Sequence, residues 1–260
     1  MKTQAQVVVI GGGVVGASVL YHLTKAGWTD VVLVERTELT AGSTWHSAGG
    51  MHTLNGDPNV AKLQQYTIEL YQEIEEISGQ DCGIHITGGV MLADTPERMD
   101  WLRMAHARGR YLDMETELIS VAEAKALMPL LEEEYFVGAM YDVHEGHVDP
   151  SGVTHAYAKA ARQAGAEVYR NTWARDITRA ADGGWDVHTY DTESGEDKAV
   201  IRCEHVVNAG GLWAREVGRM VGLELPVLAM EHQYLLTEDI PAIADYNAEH
   251  GEVLHCIDFG

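Results

Sequence analysis

Gly11, Gly13 and Gly16 form a G-x-G-x-x-G turn between a strand pattern and a helix pattern, and no other feature of the chain constrains the fold as much. Val7-Val8-Val9-Ile10 is a continuous β-branched run, the mark of a strand covered on both faces. From Val14 the spacing becomes helical, with Val15, Val19, Leu20 and Leu23 on one side and Gly27 placed to end the helix. Val31 to Val34 gives a second buried strand, closed by Glu35. In such a unit the first glycine permits the tight turn and the second lets the backbone approach a pyrophosphate. The third lets helix and strand pack closely, and the helix N-terminus offers unpaired N–H groups and positive dipole. Glu35 stands 24 positions after Gly11, where a carboxylate accepts from an adenosine ribose hydroxyl and disfavours a 2′-phosphate. NAD and FAD share the ADP half, so these residues leave both open.

The chain has 260 residues and is 46% hydrophobic, enough for a substantial core. Acidic residues number 40 against 18 basic, a formal charge of -22, which repels a phosphate backbone or an anionic lipid surface. Nucleic-acid and membrane partners are not expected. The charge suits a cationic substrate and equally a solvated acidic surface. Cys82, Cys203 and Cys256 are scattered and odd in number, so they read as core residues, not as a disulfide framework or a zinc ribbon. The N-terminus runs almost directly into the first strand with no basic, apolar leader, and no stretch reaches the ~20 apolar residues of a membrane span. The expectation is a cytoplasmic, reducing setting.

Capping chemistry places further helices. Asp57-Pro58 opens one whose apolar face is expected at Leu63, Thr67, Leu70, Ile74 and Ile77, ending at Gly79. Thr95-Pro96 opens a second, Ser120 with Glu123 forms a capping box for a third that ends before Pro129, and Asp149-Pro150 opens a fourth that ends near Gly165. Strands are expected at Ile84 to Leu92, Glu167 to Arg170, Trp185 to Tyr190, Ala199 to Arg202 and His205 to Asn208, the last running into Ala209-Gly210-Gly211. His144-Glu145-Gly146-His147 has metal-like residue types, but its spacing suits a loop, and no metal site is expected.

The loop Glu38 to Gly50, containing Gly42-Ser43-Thr44-Trp45-His46, resembles the dimethylglycine and sarcosine dehydrogenase family of flavoproteins, within the glycine- and D-amino-acid-oxidase type. The resemblance continues through Asp57 to Ser78, Ala93 to Met99, Gly146 to Pro150, Val207 to Glu216 and Glu231-His232-Gln233-Tyr234, nearly the whole chain. It implies an α/β fold in which a Rossmann-type FAD-binding domain, residues 1–82 and 145–220, is interleaved with a substrate domain built on an antiparallel sheet, residues 83–144 and 221–260. It implies FAD, covalently attached through His46 to the 8α-methyl of the flavin. A neutral imidazole is a competent nucleophile for that carbon. The implied cofactor contacts are Gly11, Gly13, Gly16, Glu35, Arg36, Ser43, Thr44, His46, Ala174, Ala209, Gly210 and Trp213, with His232 and Tyr234 facing the substrate.

The implied reaction is oxidation of a small secondary or tertiary N-methyl amine, such as dimethylglycine or sarcosine, by hydride transfer to flavin, giving an iminium. Oxygen or an electron-transfer flavoprotein would accept the electrons. Tetrahydrofolate would enter only through a C-terminal region that relatives carry and this sequence lacks. His255 to Gly260 reads as the middle of a strand, so a fragment is expected. Two rivals stay open: a noncovalent-FAD amino-acid oxidase or 2-hydroxyacid dehydrogenase, which lacks a linkage at His46, and a regulatory subunit without turnover, against which His46 and His232 both argue.

Overall fold

A computed structural model describes residues 1–53, 55 and 57–258; Phe259 and Gly260, the end of the last strand pattern, lie outside the described residues. In chain order the elements are β1 (Gln4–Ile10), α1 (Val14–Lys25), β2 (Val31–Val34), β3 (Gly50–Met51), α2 (Pro58–Ser78), β4 (Gly89–Ala93), α3 (Pro96–Tyr111), β5 (Thr116–Ile119), α4 (Val121–Leu127), β6 (Gly138–Asp142), β7 (Gly146–His147), α5 (Pro150–Gln163), β8 (Glu167–Tyr169), β9 (Thr172–Arg179), β10 (Trp185–Asp191), β11 (Asp197–Asn208), α6 (Ala214–Met220), α7 (Pro241–His250) and β12 (His255–Asp258). They fall into two compact units, one of residues 1–48, 73–83 and 149–231, the other of residues 49–72, 84–148 and 232–260.

The first unit is built on a six-stranded sheet in the order β8-β2-β1-β11-β10-β9. β1 runs parallel to both β2 and β11, and β2 runs parallel to β8. β9 and β10 extend the sheet as an antiparallel meander. This is the Rossmann-type arrangement. All four residues of β2 are buried, and Val8, Ile10, Val32, Val34, Val187 and Ile201 share one core. α1 buries Ala17, Leu20, Tyr21 and Thr24, spaced i, i+3, i+4 and i+7, and Tyr21 meets Tyr157 of α5 with ring centroids 5.5 Å apart. Of the face expected from sequence, Leu20 is buried while Val15 is exposed. Small residues, Gly16 and Ala17, turn toward the strand instead.

The second unit carries a four-stranded sheet, β12-β4-β6-β5, antiparallel except for the β12–β4 pair. Residues 49–72, expected in the cofactor half, belong here, because β3 pairs with β7 and Ala61 packs with Met91, Leu102 and Met140. Residues 145–148 belong here too, and 221–231 belong to the first unit. The capping assignments all correspond to observed bonds: Asp57 accepts from Asn59 and Val60, Thr95 from Arg98, and Asp149 from Ser151, and Ser120 with Glu123 makes both halves of its box. In α2, Leu63 and Ile77 of the expected face are exposed, and Ala61, Leu70, Ile74 and Ser78 are buried.

Strand limits differ from the expectation in several places. The strand expected from Ile84 starts only at Gly89, since Gly83 and Gly88 turn the backbone through φ +55° and +75°. Ala199 to Arg202 and His205 to Asn208 are one strand, β11. β3, β5, β6, β7 and β9 had no expectation. In β9 a register shift opposite His188 and Thr189 breaks the period-2 pattern. Residues 223–240 form no helix or strand, and Leu228 is 84% exposed.

Candidate functional site

β1 delivers the chain into the glycine turn, and each glycine is required by a different neighbour. Gly11 has φ +113°, and a Cβ there would lie 2.3 Å from the Ala209 carbonyl oxygen. A Cβ on Gly16 would lie 1.9 Å from the Gly11 carbonyl oxygen, so both are fixed by packing of protein on protein. Gly13 is different. It caps α1 in an extended conformation with no side-chain cap, and a Cβ would meet only Thr44 Oγ1, at 3.0 Å. Backbone is therefore presented at the positive end of α1 with only the Thr44 hydroxyl beside it, which leaves the approach a pyrophosphate needs.

Gly12 was not among the expected site residues. A Cβ on it would meet Leu39 and Glu35 within 3 Å, and its N–H donates to Glu35 Oε2 at 2.6 Å. The run of three glycines was its only sequence signal. Glu35 follows β2 directly, and its Oε1 accepts from the Thr37 N–H at 2.8 Å and from Thr37 Oγ1 at 3.3 Å. These three donors leave acceptor capacity on a carboxylate that has about four lone-pair positions. The Arg36 guanidinium lies 4.6 Å from the centre of the Trp213 ring and 5.8 Å from that of Trp173. Trp173 adjoins Ala174, whose side chain is buried in β9. Ala209 donates to the Ile10 carbonyl at 2.9 Å, and Gly210 donates to Asn208 Oδ1 at 3.1 Å, so the turn after β11 lies beside Gly11.

The loop after β2 folds back onto the same helix end: the Val14 N–H donates to Thr44 Oγ1 at 3.0 Å. Ser43 is exposed in this loop. His46 is also exposed, with its ring 3.8 Å from that of Trp45 and its Nδ1 3.0 Å from the Gly42 carbonyl oxygen. A carbonyl only accepts, so that contact places the proton on Nδ1 and leaves the lone pair on Nε2. His232 and Tyr234 belong to the other unit, on the exposed stretch without regular structure. The cradle residues, Arg36, Thr44, Ala209, Gly210 and Trp213 thus converge in one unit.

The donors and spaces fit an ADP-bearing cofactor: a helix end whose cap residue, Gly13, brings no side chain, a carboxylate at Glu35 with acceptor capacity left, and a cationic and aromatic wall at Arg36 and Trp213. Among the described residues no helix is long and apolar enough to cross a membrane.

The family model for FAD dependent oxidoreductases (DAO) matches residues 6–258. Dimethylglycine dehydrogenase of Rattus norvegicus is 40% identical over 242 residues, covering 93% of this chain and 27% of that protein. Sarcosine dehydrogenase of Homo sapiens is 37% identical over 246 residues, covering 94% of this chain and 26% of that protein. The crystal structure of L-proline dehydrogenase from P. horikoshii superposes with a TM-score of 0.77 at 26% identity, covering 86% of this chain and 57% of that one. The chain spans about a quarter of the length of the two curated relatives.

Proposed function

Since the chain belongs to the DAO family of FAD dependent oxidoreductases, we propose that the protein oxidises a small secondary or tertiary N-methyl amine, with dimethylglycine and sarcosine as the substrates to test first. Bound FAD supplies the two-electron acceptor for the C–H bond next to nitrogen. The organic product is an iminium, which water converts to formaldehyde and the demethylated amine. Gly11, Gly13 and Gly16 shape the pyrophosphate site, Glu35 takes a ribose hydroxyl, and Arg36 and Trp213 wall the adenosine side. His46 anchors the flavin, and His232 with Tyr234 faces the amine.

One observation supports this reading: the His46 loop is hydrogen-bonded to the N-terminus of the dinucleotide helix, and the Gly42 carbonyl beside His46 Nδ1 leaves the lone pair of the neutral ring on Nε2. A bond from histidine to the flavin would need such a free lone pair. Relatives named as dimethylglycine dehydrogenase, sarcosine dehydrogenase and 4-methylaminobutanoate oxidase support the substrate class.

The full-length protein is expected to carry fluorescent flavin with its polypeptide on a denaturing gel. His46→Ala is expected to release all of it, with an unchanged far-ultraviolet circular dichroism spectrum, since His46 is exposed. Wild-type holoprotein that loses its whole flavin in acid overturns the anchor and favours a noncovalent oxidase. Formaldehyde release and flavin bleaching under dimethylglycine or sarcosine test the reaction, and a flavin left oxidised by both amines overturns it.

A further inference from the structure

Glu145 is the most deeply placed carboxylate of the second unit, with its side chain fully buried, and the fold sets two imidazoles against it. His52 Nδ1 lies 3.3 Å from Glu145 Oε2, and His255 Nε2 lies 2.9 Å from the same oxygen. The three residues come from separate parts of the chain: His52 follows β3, Glu145 precedes β7 and His255 opens β12. Pairing of β3 with β7 and of β12 with β4 fixes their backbones. Gly89, which pairs with His255, leaves the space. A Cβ there would lie 2.2 Å from Glu145 Oε2 and 2.9 Å from His255 Nε2.

These distances would suit two imidazole–carboxylate hydrogen bonds, but the directions do not. Neither Glu145 oxygen, nor His52 Nδ1, nor His255 Nε2 has a hydrogen-bond partner. A buried carboxylate left this way is costly. The rings stand at 67° with centroids 5.1 Å apart, so their nitrogens converge near the carboxylate without aiming N–H groups at its oxygen. Ligands ~2.0–2.1 Å from a tetrahedral zinc lie ~3.4 Å from one another, close to the spacings seen here. The second acid of the region, Asp142, is satisfied differently, by the Thr53 hydroxyl and the His144 N–H.

We propose that His52, Glu145 and His255 bind one divalent zinc-type cation through His52 Nδ1, a Glu145 carboxylate oxygen and His255 Nε2, with water in the fourth position. Two histidines and one carboxylate are a recurrent protein ligand set for Zn²⁺. The His52 and His255 side chains are 36% and 24% exposed, which leaves a route for the ion and its water. A neighbouring set, His85, His147 and Glu252, serves as an internal contrast. It lies nearer the surface, its imidazoles stack 4.7 Å apart, and His85 Nδ1 is hydrogen-bonded to Glu252 at 2.6 Å, so its carboxylate is already engaged without an ion.

The test uses tag-free, full-length holoprotein, stripped with a chelator, dialysed against Zn²⁺ and measured by inductively coupled plasma mass spectrometry, with affinity from competition against a chromophoric chelator. One equivalent of zinc is expected. Glu145→Gln, His52→Ala and Gly89→Ala should each weaken it at least ~10²-fold, while His85→Ala and Glu252→Gln should leave it in place. The half-exposed His52 gives a variant that folds even if Glu145→Gln does not. Wild-type protein with less than a tenth of an equivalent overturns the proposal. So does zinc that persists in His52→Ala, or that is lost in His85→Ala instead. The flavin content of each variant reads the cofactor site separately.

Discussion

Gly13→Val is expected to abolish FAD binding and to leave the fold standing. Gly13 has φ -77°, a conformation that any L residue adopts, and an added Cβ would touch only the Thr44 hydroxyl, at 3.0 Å. On the protein side, the added Cβ asks only the Thr44 side chain to give. A pyrophosphate is blocked, because the isopropyl group fills the space in front of the α1 N-terminus where backbone N–H groups would meet the phosphate oxygens. Loss of that approach should weaken FAD by ~10³-fold or more, about 4 kcal/mol. The comparison is best made by calorimetry in a His46→Ala background, where no covalent bond masks the affinity. Gly16→Ala is the wrong variant for this purpose, since its Cβ would collide with the Gly11 carbonyl and disturb the fold itself. Unchanged FAD affinity in Gly13→Val would mean that the pyrophosphate lies elsewhere.

What the sequence made legible was what local chemistry dictates. The strand–glycine–helix start and the helix caps depend on residues a few positions apart, and Asp57, Thr95, Ser120 and Asp149 all make the bonds their types imply. Gly27 ends α1 with φ +92° as a C-terminal glycine should. Illegible were features set by what packs on an element. The exposed Leu63 and Ile77 belong to an apolar stripe that the fold uses only in part. β6 is buried almost throughout and rich in small residues, so it shows no alternation. β9 is broken by its bulge.

Distance along the chain limited the site in the same way. Arg36, Trp173 and Trp213 meet only because β2, β9 and the turn after β11 end near one another. The set at Glu145 joins segments that no spacing rule connects, and within His144 to His147 it is the glutamate, not the histidine pair, that the fold turns inward. His46 was singled out by its loop sequence, but the Gly42 carbonyl that sets its tautomer was visible only in the fold.

His232→Ala should act on rate, not on cofactor content. A tertiary amine yields a hydride equivalent only as the free base, because a protonated nitrogen has no lone pair to support the developing iminium. Histidine is the side chain that changes charge in the physiological range. One placed against the amine nitrogen, or against the carboxylate beside it, biases which protonation state binds and holds it in line. In this structure His232 is exposed, with Gln233 and Tyr234, on a stretch without regular structure. Its removal breaks no buried network, and stability should change by no more than ~0.5 kcal/mol. A large kinetic effect would therefore report contact with substrate. Flavin reduction by dimethylglycine and by sarcosine is expected to slow by ~10²-fold or more, the scale of a positioned acid–base group, with a displaced pH profile between pH ~6 and ~10. Anaerobic stopped-flow measurement on the full-length protein reads both quantities, and flavin absorbance confirms that loading is unchanged. If His232→Ala reduces at the wild-type rate with the same profile for both amines, the imidazole does not meet the substrate, and protonation of the amine is governed elsewhere.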